Sequence, residues 1–312
     1  MMEQEFESRS ERRRRRKFRW GRLFFLLLIV TLIVTAYSSF QYWNGYHATA
    51  AGGTATMEFT GDPVTGTTEN ILLLGSDARG EENARTDTIM IASWNKETND
   101  IKLISLMRDI YADIPGYEDY KLNTAYYLGG ADLLKETISG MFGLEIHHAA
   151  IIDFQSFEKL TDIAAPGGVE INVEKPMSEK IGVTLEPGVQ KLSGKELLGY
   201  ARFRADENGD FGRVERQQQV IAALKDELTS PLAVLRYPKL AGAVQGAIET
   251  DMSAAGQVEK ALRFALFGNK EIGRLTVPVE GSYTFASYPQ AGSVLEIDLE
   301  ANRRAIEQFL SE

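Results

Sequence analysis

Apolar runs and polar breaks divide the chain into one long greasy segment near its start and a series of shorter elements after it. From Leu23 to Phe40 the sequence LFFLLLIVTLIVTAYSSF carries no charge, and about 20 such residues span a bilayer as a helix. Further on, apolar runs of strand length end on polar residues: Asn70–Gly75 (NILLLG), Thr88–Trp94 (TIMIASW), Ile101–Met107 (IKLISLM) and His148–Phe154 (HAAIIDF). Val169–Val173 is a fifth predicted strand, and three more fall near residues 272–277, 282–287 and 294–298. Helical spacing fills the intervals. It covers Asn123–Phe142, interrupted near Gly129-Gly130, then Ser156–Ala164, Leu192–Ala201, residues 232–248, residues 254–267 and Asn302–Leu310. Val214–Leu228 is the clearest amphipathic helix, with Val220, Leu224 and Leu228 on one stripe. Uniformly apolar strands mixed with helices predict one α/β domain whose sheet is buried on both faces.

Charge orients the greasy segment. Residues 1–22 hold nine Lys/Arg against four Asp/Glu, leaving 25 basic and 40 acidic residues on the rest of the 312-residue chain. A nucleic-acid binder would show the opposite sign on its folded part. The basic block Arg12–Lys17 precedes the apolar run, and Trp20 and Tyr42-Trp43 border it. That arrangement predicts a membrane helix with a cytoplasmic N-terminus. A cleaved signal peptide is the alternative, with Ala48-Thr49-Ala50 as its cleavage site. The run exceeds the roughly 7–15 apolar residues of a signal peptide, and that site lies well past its end. The expected organisation is therefore a basic cytoplasmic tail (1–22), a transmembrane helix (23–43), a flexible Gly/Thr-rich stalk (44–68) and an extracytoplasmic domain (69–312). There is no cysteine, which excludes disulfides, thiolate nucleophiles and Cys-type zinc sites.

Polar clusters stand where the predicted strands end. They are Gly75-Ser76-Asp77-Ala78-Arg79, Arg85-Thr86-Asp87-Thr88 and Arg108-Asp109. Ligands of open α/β sheets sit beyond strand ends. If the first two strands pair antiparallel, Asp77 and Asp87 meet at one edge, as hard oxygen donors suited to Mg²⁺. A fourth cluster, YARFRADENGDFGRVERQQQ (200–219), gathers Arg202, Arg204, Arg213 and Arg216. Guanidinium groups bind phosphate oxygens in bidentate fashion, and a helix start adds free N–H groups. The stretch reads as a diphosphate cradle, with local salt bridging to Asp206, Glu207, Asp210 and Glu215 as the plainer alternative. Asp210-Phe211-Gly212 is not a kinase signature, since no H-R-D loop or Gly-rich phosphate loop accompanies it. No G-x-S-x-G, H-E-x-x-H or Walker A pattern occurs, and the histidines are only His47, His147 and His148.

NILLLGSDAR (70–79), RTDT (85–88), SLMRD (105–109), KLNTAYYLGG (121–130), LSGKELLGYARFR (192–204) and GDFGRVERQQQ (209–219) together resemble the LytR-CpsA-Psr family. The resemblance implies an α/β fold with a central mixed β-sheet sandwiched between helices, preceded by one N-terminal transmembrane helix. It implies a phosphotransferase of the bacterial, Gram-positive cell membrane. Such an enzyme moves a glycopolymer, of wall teichoic acid or capsule type, from an undecaprenyl-pyrophosphate carrier to the C6 hydroxyl of N-acetylmuramic acid in peptidoglycan. An apolar cavity would hold the polyprenyl chain, and Mg²⁺ or Mn²⁺ would assist. Partners are then the polyprenyl-linked glycan, peptidoglycan and membrane lipid, with no nucleic acid. By matching positions, Asp77 and Asp87 are the metal ligands. Arg79, Arg85, Arg108, Lys121, Asn123, Arg202, Arg204, Arg213 and Gln217 bind pyrophosphate. Arg108, Asp109, Arg204, Asp210 and Arg213 are the candidate catalytic groups, with Asp210 first and Asp109 second as base for the acceptor hydroxyl. The chain departs from the family pattern at Met107, where proline is usual. Two alternatives remain: a non-catalytic envelope regulator or polyprenyl-phosphate binder, and a lipid pyrophosphatase with water as acceptor.

Overall fold

The computed structural model describes residues 20–50, 57–77, 86–230, 233–267 and 271–312. It opens with α1 (Trp20–Thr49), followed by β1 (Thr68–Ser76), β2 (Thr86–Asn95), β3 (Ile101–Leu106), β4 (Tyr111–Ala112) and β5 (Tyr120–Lys121). Next come α2 (Leu122–Phe142), β6 (His148–Asp153), α3 (Phe154–Ala164), β7 (Val169–Val173), β8 (Gly188–Leu192), α4 (Gly194–Arg202) and α5 (Gly209–Thr229). A short 3₁₀ turn leads to α6 (Tyr237–Ala247), β9 (Ile248–Thr250) and α7 (Ala254–Phe267). The chain closes with β10 (Gly273–Val277), β11 (Tyr283–Tyr288), β12 (Gly292–Ile297) and α8 (Leu299–Ser311).

Six strands form a mixed sheet in the order β10-β3-β2-β1-β6-β9. β1 runs parallel to β6 and antiparallel to β2, while β10 is parallel to β3. This register brings the C-terminal ends of β1, β3, β6 and β10 and the start of β2 to one edge: Ser76 pairs with Thr86 and with Asp153, and Leu106 pairs with Val277. The sheet alternates in side-chain direction with period two. Leu72, Leu74, Ile89, Ile91 and Ile104 point into a core shared with Leu122, Leu134 and Ile138 of α2 and Ile306 of α8. A second core joins β7 and β8 to Leu197 and Tyr200 of α4 and Val220 of α5.

The structure departs from the sequence reading at four short strands and at the expected stalk. β4, β5, β8 and β9 were not expected; β4 and β5 pair with each other, β8 pairs with β7 and β9 with β6. Residues 44–68 are not a free stalk where the structure describes them. Helix α1 continues to Thr49, and the chain divides into two units after Phe40, so the last turns belong with the larger unit. There a Cβ at Gly45 would stand 1.9 Å from the Lys239 carbonyl oxygen, and one at Gly242 would stand 1.9 Å from that of Tyr42. Thr49 Oγ1 donates to the Ala243 carbonyl at 2.7 Å. Small residues that read as flexible are here the means of close helix packing. Beyond residues 51–56, which lie outside the described residues, Met57 and Phe59 pack on the main core. Asp62 accepts from Ile146 N at 2.8 Å and pairs with Lys135 at 3.2 Å.

Candidate active site

The strand register explains why separated polar clusters converge. Asp77 follows the last residue of β1, Asp87 lies at the bulge where Thr86 and Thr88 of β2 pair with Ser76 and Gly75, and Arg108 follows β3. Thr86 Oγ1 pins the bulge by contacts to the Gly75 and Thr88 carbonyls at 3.0 and 2.7 Å. The turn after β3 closes through Ile110 N to Met107 O at 3.2 Å. Met107 uses its own N–H on Val277 O at 3.0 Å, a bond that proline could not make.

Arg108 is the hub. It forms a close ion pair with Asp87 and contacts Asp210 at 3.2 Å and Asp109 at 3.4 Å. Burial works against its charge, but Asp210, Asp87 and Asp109 together raise its pKa above the ordinary arginine value. Lys121 holds Asp109 at 2.7 Å, and Arg213 reaches Asp210 at 3.4 Å. Burial pushes both carboxyls up. In Asp109 this is overcome by a hydrogen bond from Asp210 and by Lys121 and Arg108, which bring it down to about 2. In Asp210 burial and the neighbouring Asp109 prevail over Arg213 and Arg108, and its pKa is raised. The two carboxyls are therefore pushed in opposite directions, Asp109 down and Asp210 up, so that Asp109 ionises first and Asp210 is the stronger base of the two.

A polar pocket of about 350 Å³ opens beside Arg108. Asp87, Thr88, Arg202, Arg204, Arg213 and Gln217 line it, with Phe154, Glu179 and Lys180. Arg213 is 4% exposed. Its Nε is buried without a hydrogen-bond partner. Burial and the nearby Arg108 lower its pKa, against the pull of Asp210. A buried cation with an unpaired donor at a pocket wall is a receptor for an anion. The guanidinium of Arg202 lies 4.4 Å from the centre of the Phe154 ring, and Gln217 donates to Thr88 Oγ1 at 2.9 Å. Thr88, Phe154, Arg202 and Gln217 also line a second cavity of about 270 Å³. Its other walls are Leu73, Met90, Ile151, Phe157, Leu198, Val220 and similar apolar residues. A cationic pocket and an apolar cavity thus adjoin across these four shared residues, beside the sheet and helices α3, α4 and α5.

The residues singled out in the sequence are distributed unequally over this geometry. Asp87, Arg108, Arg202, Arg204, Arg213 and Gln217 share the pocket wall. Asp109, Asp210 and Lys121 stand behind Arg108, and Asn123 turns inward, donating to Thr86 O at 3.4 Å. Lys121 and Asn123 therefore hold neighbouring protein groups, where direct contact with a pyrophosphate was expected. Arg79 and Arg85 lie outside the described residues. Arg216 leaves the cradle: it pairs with Asp206 at 2.9 Å and donates to Phe203 O at 2.8 Å, so local salt bridging accounts for this one arginine. Phe154, Glu179 and Lys180 were not anticipated. Phe154 could have been found, because it follows β6, which is parallel to β1. Lys180 carries no such signal, since its place depends on a left-handed backbone with φ of 60°. As to a metal, no group of three or more His, Cys, Asp or Glu that could hold one occurs among the described residues. Two carboxylates at one strand edge nevertheless fit Mg²⁺, which takes one or two carboxylates plus substrate phosphates.

A family model for LytR_cpsA_psr matches residues 34–305. The chain belongs to the LytR_cpsA_psr family. Over 284 residues, 91% of this chain and 86% of the relative, it is 42% identical to regulatory protein MsrR of Staphylococcus aureus. It is 36% identical over 189 residues to the polyisoprenyl-teichoic acid–peptidoglycan teichoic acid transferase TagU of Enterococcus faecalis, covering 59% of this chain and 61% of that one. Among solved structures, Bacillus subtilis TagV superposes with a TM-score of 0.66 at 25% identity, over 78% of this chain and 98% of that chain. The mixed sheet with flanking helices is the fold of this family. Helix α1 is long and apolar enough to cross a membrane, consistent with single-pass anchoring.

Proposed function

We propose that this protein transfers a glycopolymer from a polyprenyl-pyrophosphate carrier to a hydroxyl of peptidoglycan. The observation that carries the reading is the shared wall: a pocket of arginines suited to a diphosphate adjoins an apolar cavity suited to a lipid chain, with Thr88, Phe154, Arg202 and Gln217 lining both. In this mechanism Arg202, Arg204 and Arg213 bind the diphosphate oxygens, and Arg108 holds the Asp109–Asp210 pair against them. The acceptor oxygen attacks the phosphorus that bears the glycan. Its proton passes to the ionised Asp210 carboxylate, the new O–P bond forms, and the bridging P–O bond breaks. Polyprenyl monophosphate then leaves, its charge offset by the arginines. Asp77 and Asp87 would hold Mg²⁺ or Mn²⁺, whose charge would further neutralise the diphosphate.

The α1 topology in this reading places the basic tail in the cytoplasm and the larger unit outside. The S. aureus relative's designation as a regulatory protein favours a second reading, a non-catalytic binder of the same lipid. Incubating the detergent-solubilised protein with a polyprenyl-pyrophosphate saccharide and peptidoglycan separates the two. Transfer gives saccharide-bearing peptidoglycan and polyprenyl monophosphate by mass spectrometry, and EDTA lowers the yield. Lipid binding with no product formed would sink the enzymatic reading. Polyprenyl monophosphate release that does not need peptidoglycan would identify a pyrophosphatase.

A further inference from the structure

The donor side of the site is accounted for by the pocket and its cavity, but Asp109 and Asp210 line neither. What abuts them is the β11–β12 hairpin. Leu295 of β12 donates its N–H to the Asp109 carbonyl at 2.8 Å. Phe211, the residue after Asp210, stacks on Tyr283 of β11 with ring centres 4.9 Å apart and planes inclined by 30°. Tyr283 in turn meets Phe285 edge-on at 5.7 Å. Phe285 is 74% exposed. A single exposed phenylalanine needs no explanation. This row of three rings starts at the residue after the candidate base, where Phe211 and Tyr283 sit partly buried on the main core, and ends in solvent at Phe285, which gives the exposed ring a rigid backing. Its chemistry is also selective. Residues 282–297 contain one charged residue, Glu296, and no Lys or Arg, so the hairpin suits neither a polyphosphate nor an anionic lipid surface. Exposed Ser287 lies two residues from Phe285 on the same strand face, a hydroxyl beside an apolar ring. Such a strip matches a sugar strand. The axial C–H face of a pyranose is weakly positive and lies on the negative face of an aromatic ring, while its hydroxyl groups meet polar side chains.

We propose that the Phe211–Tyr283–Phe285 row is the platform for the acceptor glycan strand of peptidoglycan, leading one sugar hydroxyl to Asp210. The proposal rests on the transfer reading above, and its test separates the two. The probe is a soluble peptidoglycan glycan strand freed of its stem peptides, titrated into the full-length protein in detergent and followed by NMR or calorimetry. F285A should weaken strand binding and raise the acceptor KM about three- to tenfold, with kcat little changed. F285Y, which keeps the ring, should restore both, and donor-lipid binding should match the wild type in each variant. V189A, at an exposed apolar residue of β8, is the surface control and should change nothing. If F285A binds and uses the strand like the wild type, the platform is wrong while transfer stands. If the wild type binds the strand through Phe285 but never transfers, the platform stands and the transfer reading fails. No wild-type binding at millimolar strand overturns the platform outright.

Discussion

Three positions separate Arg213 from Arg216 on α5, yet their guanidinium groups face different neighbours. Each has a buried Nε without a partner, but Arg213 stands in the pocket wall with only a 3.4 Å contact to Asp210, whereas Arg216 lies off the pocket and is held by Asp206 at 2.9 Å and the Phe203 carbonyl at 2.8 Å. Alanine at each position should therefore fail differently. R213A removes a donor aimed at developing charge, which is typically worth about 2.7–4 kcal/mol. Single-turnover transfer should fall by about two to three orders of magnitude, out of proportion to the fall in the unfolding midpoint from losing the 3.4 Å contact to Asp210. R216A breaks a buried pair, a change that costs about 3–5 kcal/mol, and should show first as a drop in that midpoint. Full activity in R213A would remove it from the mechanism. The carboxylate pair gives a pH signature. Burial and the Asp109 charge raise the Asp210 pKa. A base must be ionised, so kcat/KM should rise as pH climbs through that raised value. D109N removes the negative neighbour, lowers the Asp210 pKa and should shift the rising limb to lower pH. A limb that stays in place in D109N would show that the two groups do not share a proton.

At the scale of elements, the contact between the end of α1 and α6 replaces the expected stalk. Gly45 and Gly242 meet the opposing helix backbone so closely that any side chain must displace it. G242L should cost about 1–3 kcal/mol through overpacking, measured by denaturant unfolding of the detergent-solubilised protein. Unchanged stability would mean that the two helices do not hold each other in solution. The same contact shows why composition misled. A Gly- and Thr-rich segment reads as linker when its neighbours are unknown, but the same small side chains permit helices to touch. The long strands and the α5 stripe were legible, because their periodicity follows directly from burial on known faces. β8 and β9 were not, because a short, weakly apolar strand exists only by virtue of the partner that pairs with it.

For the whole molecule, the decisive feature is the space on one side of the sheet. In β1, Leu72 is sealed into the core away from the cavity, while Leu73 and Gly75 on the opposite face remain partly exposed and line it. Filling it should discriminate between donors. A150F, placing a ring where Ala150 lines the apolar wall, should raise the KM for long polyprenyl donors at least tenfold. Short-chain, water-soluble donors, which make little use of that wall, should be nearly unaffected. Equal losses for both would show that the cavity is not the lipid seat. The amino-acid sequence by itself determined the membrane-length helix, the α/β alternation and the placing of Asp77, Asp87 and Arg108 at strand ends. Each of these follows from local periodicity and from the polar residues that terminate it. Only the tertiary structure decided which apolar side chains pack and which surround a hollow, and which of the arginines face a pocket and which a carboxylate. An apolar residue has the same pattern along the chain whether its neighbour is another side chain or empty space, and a guanidinium group takes its function from whatever the fold sets opposite it.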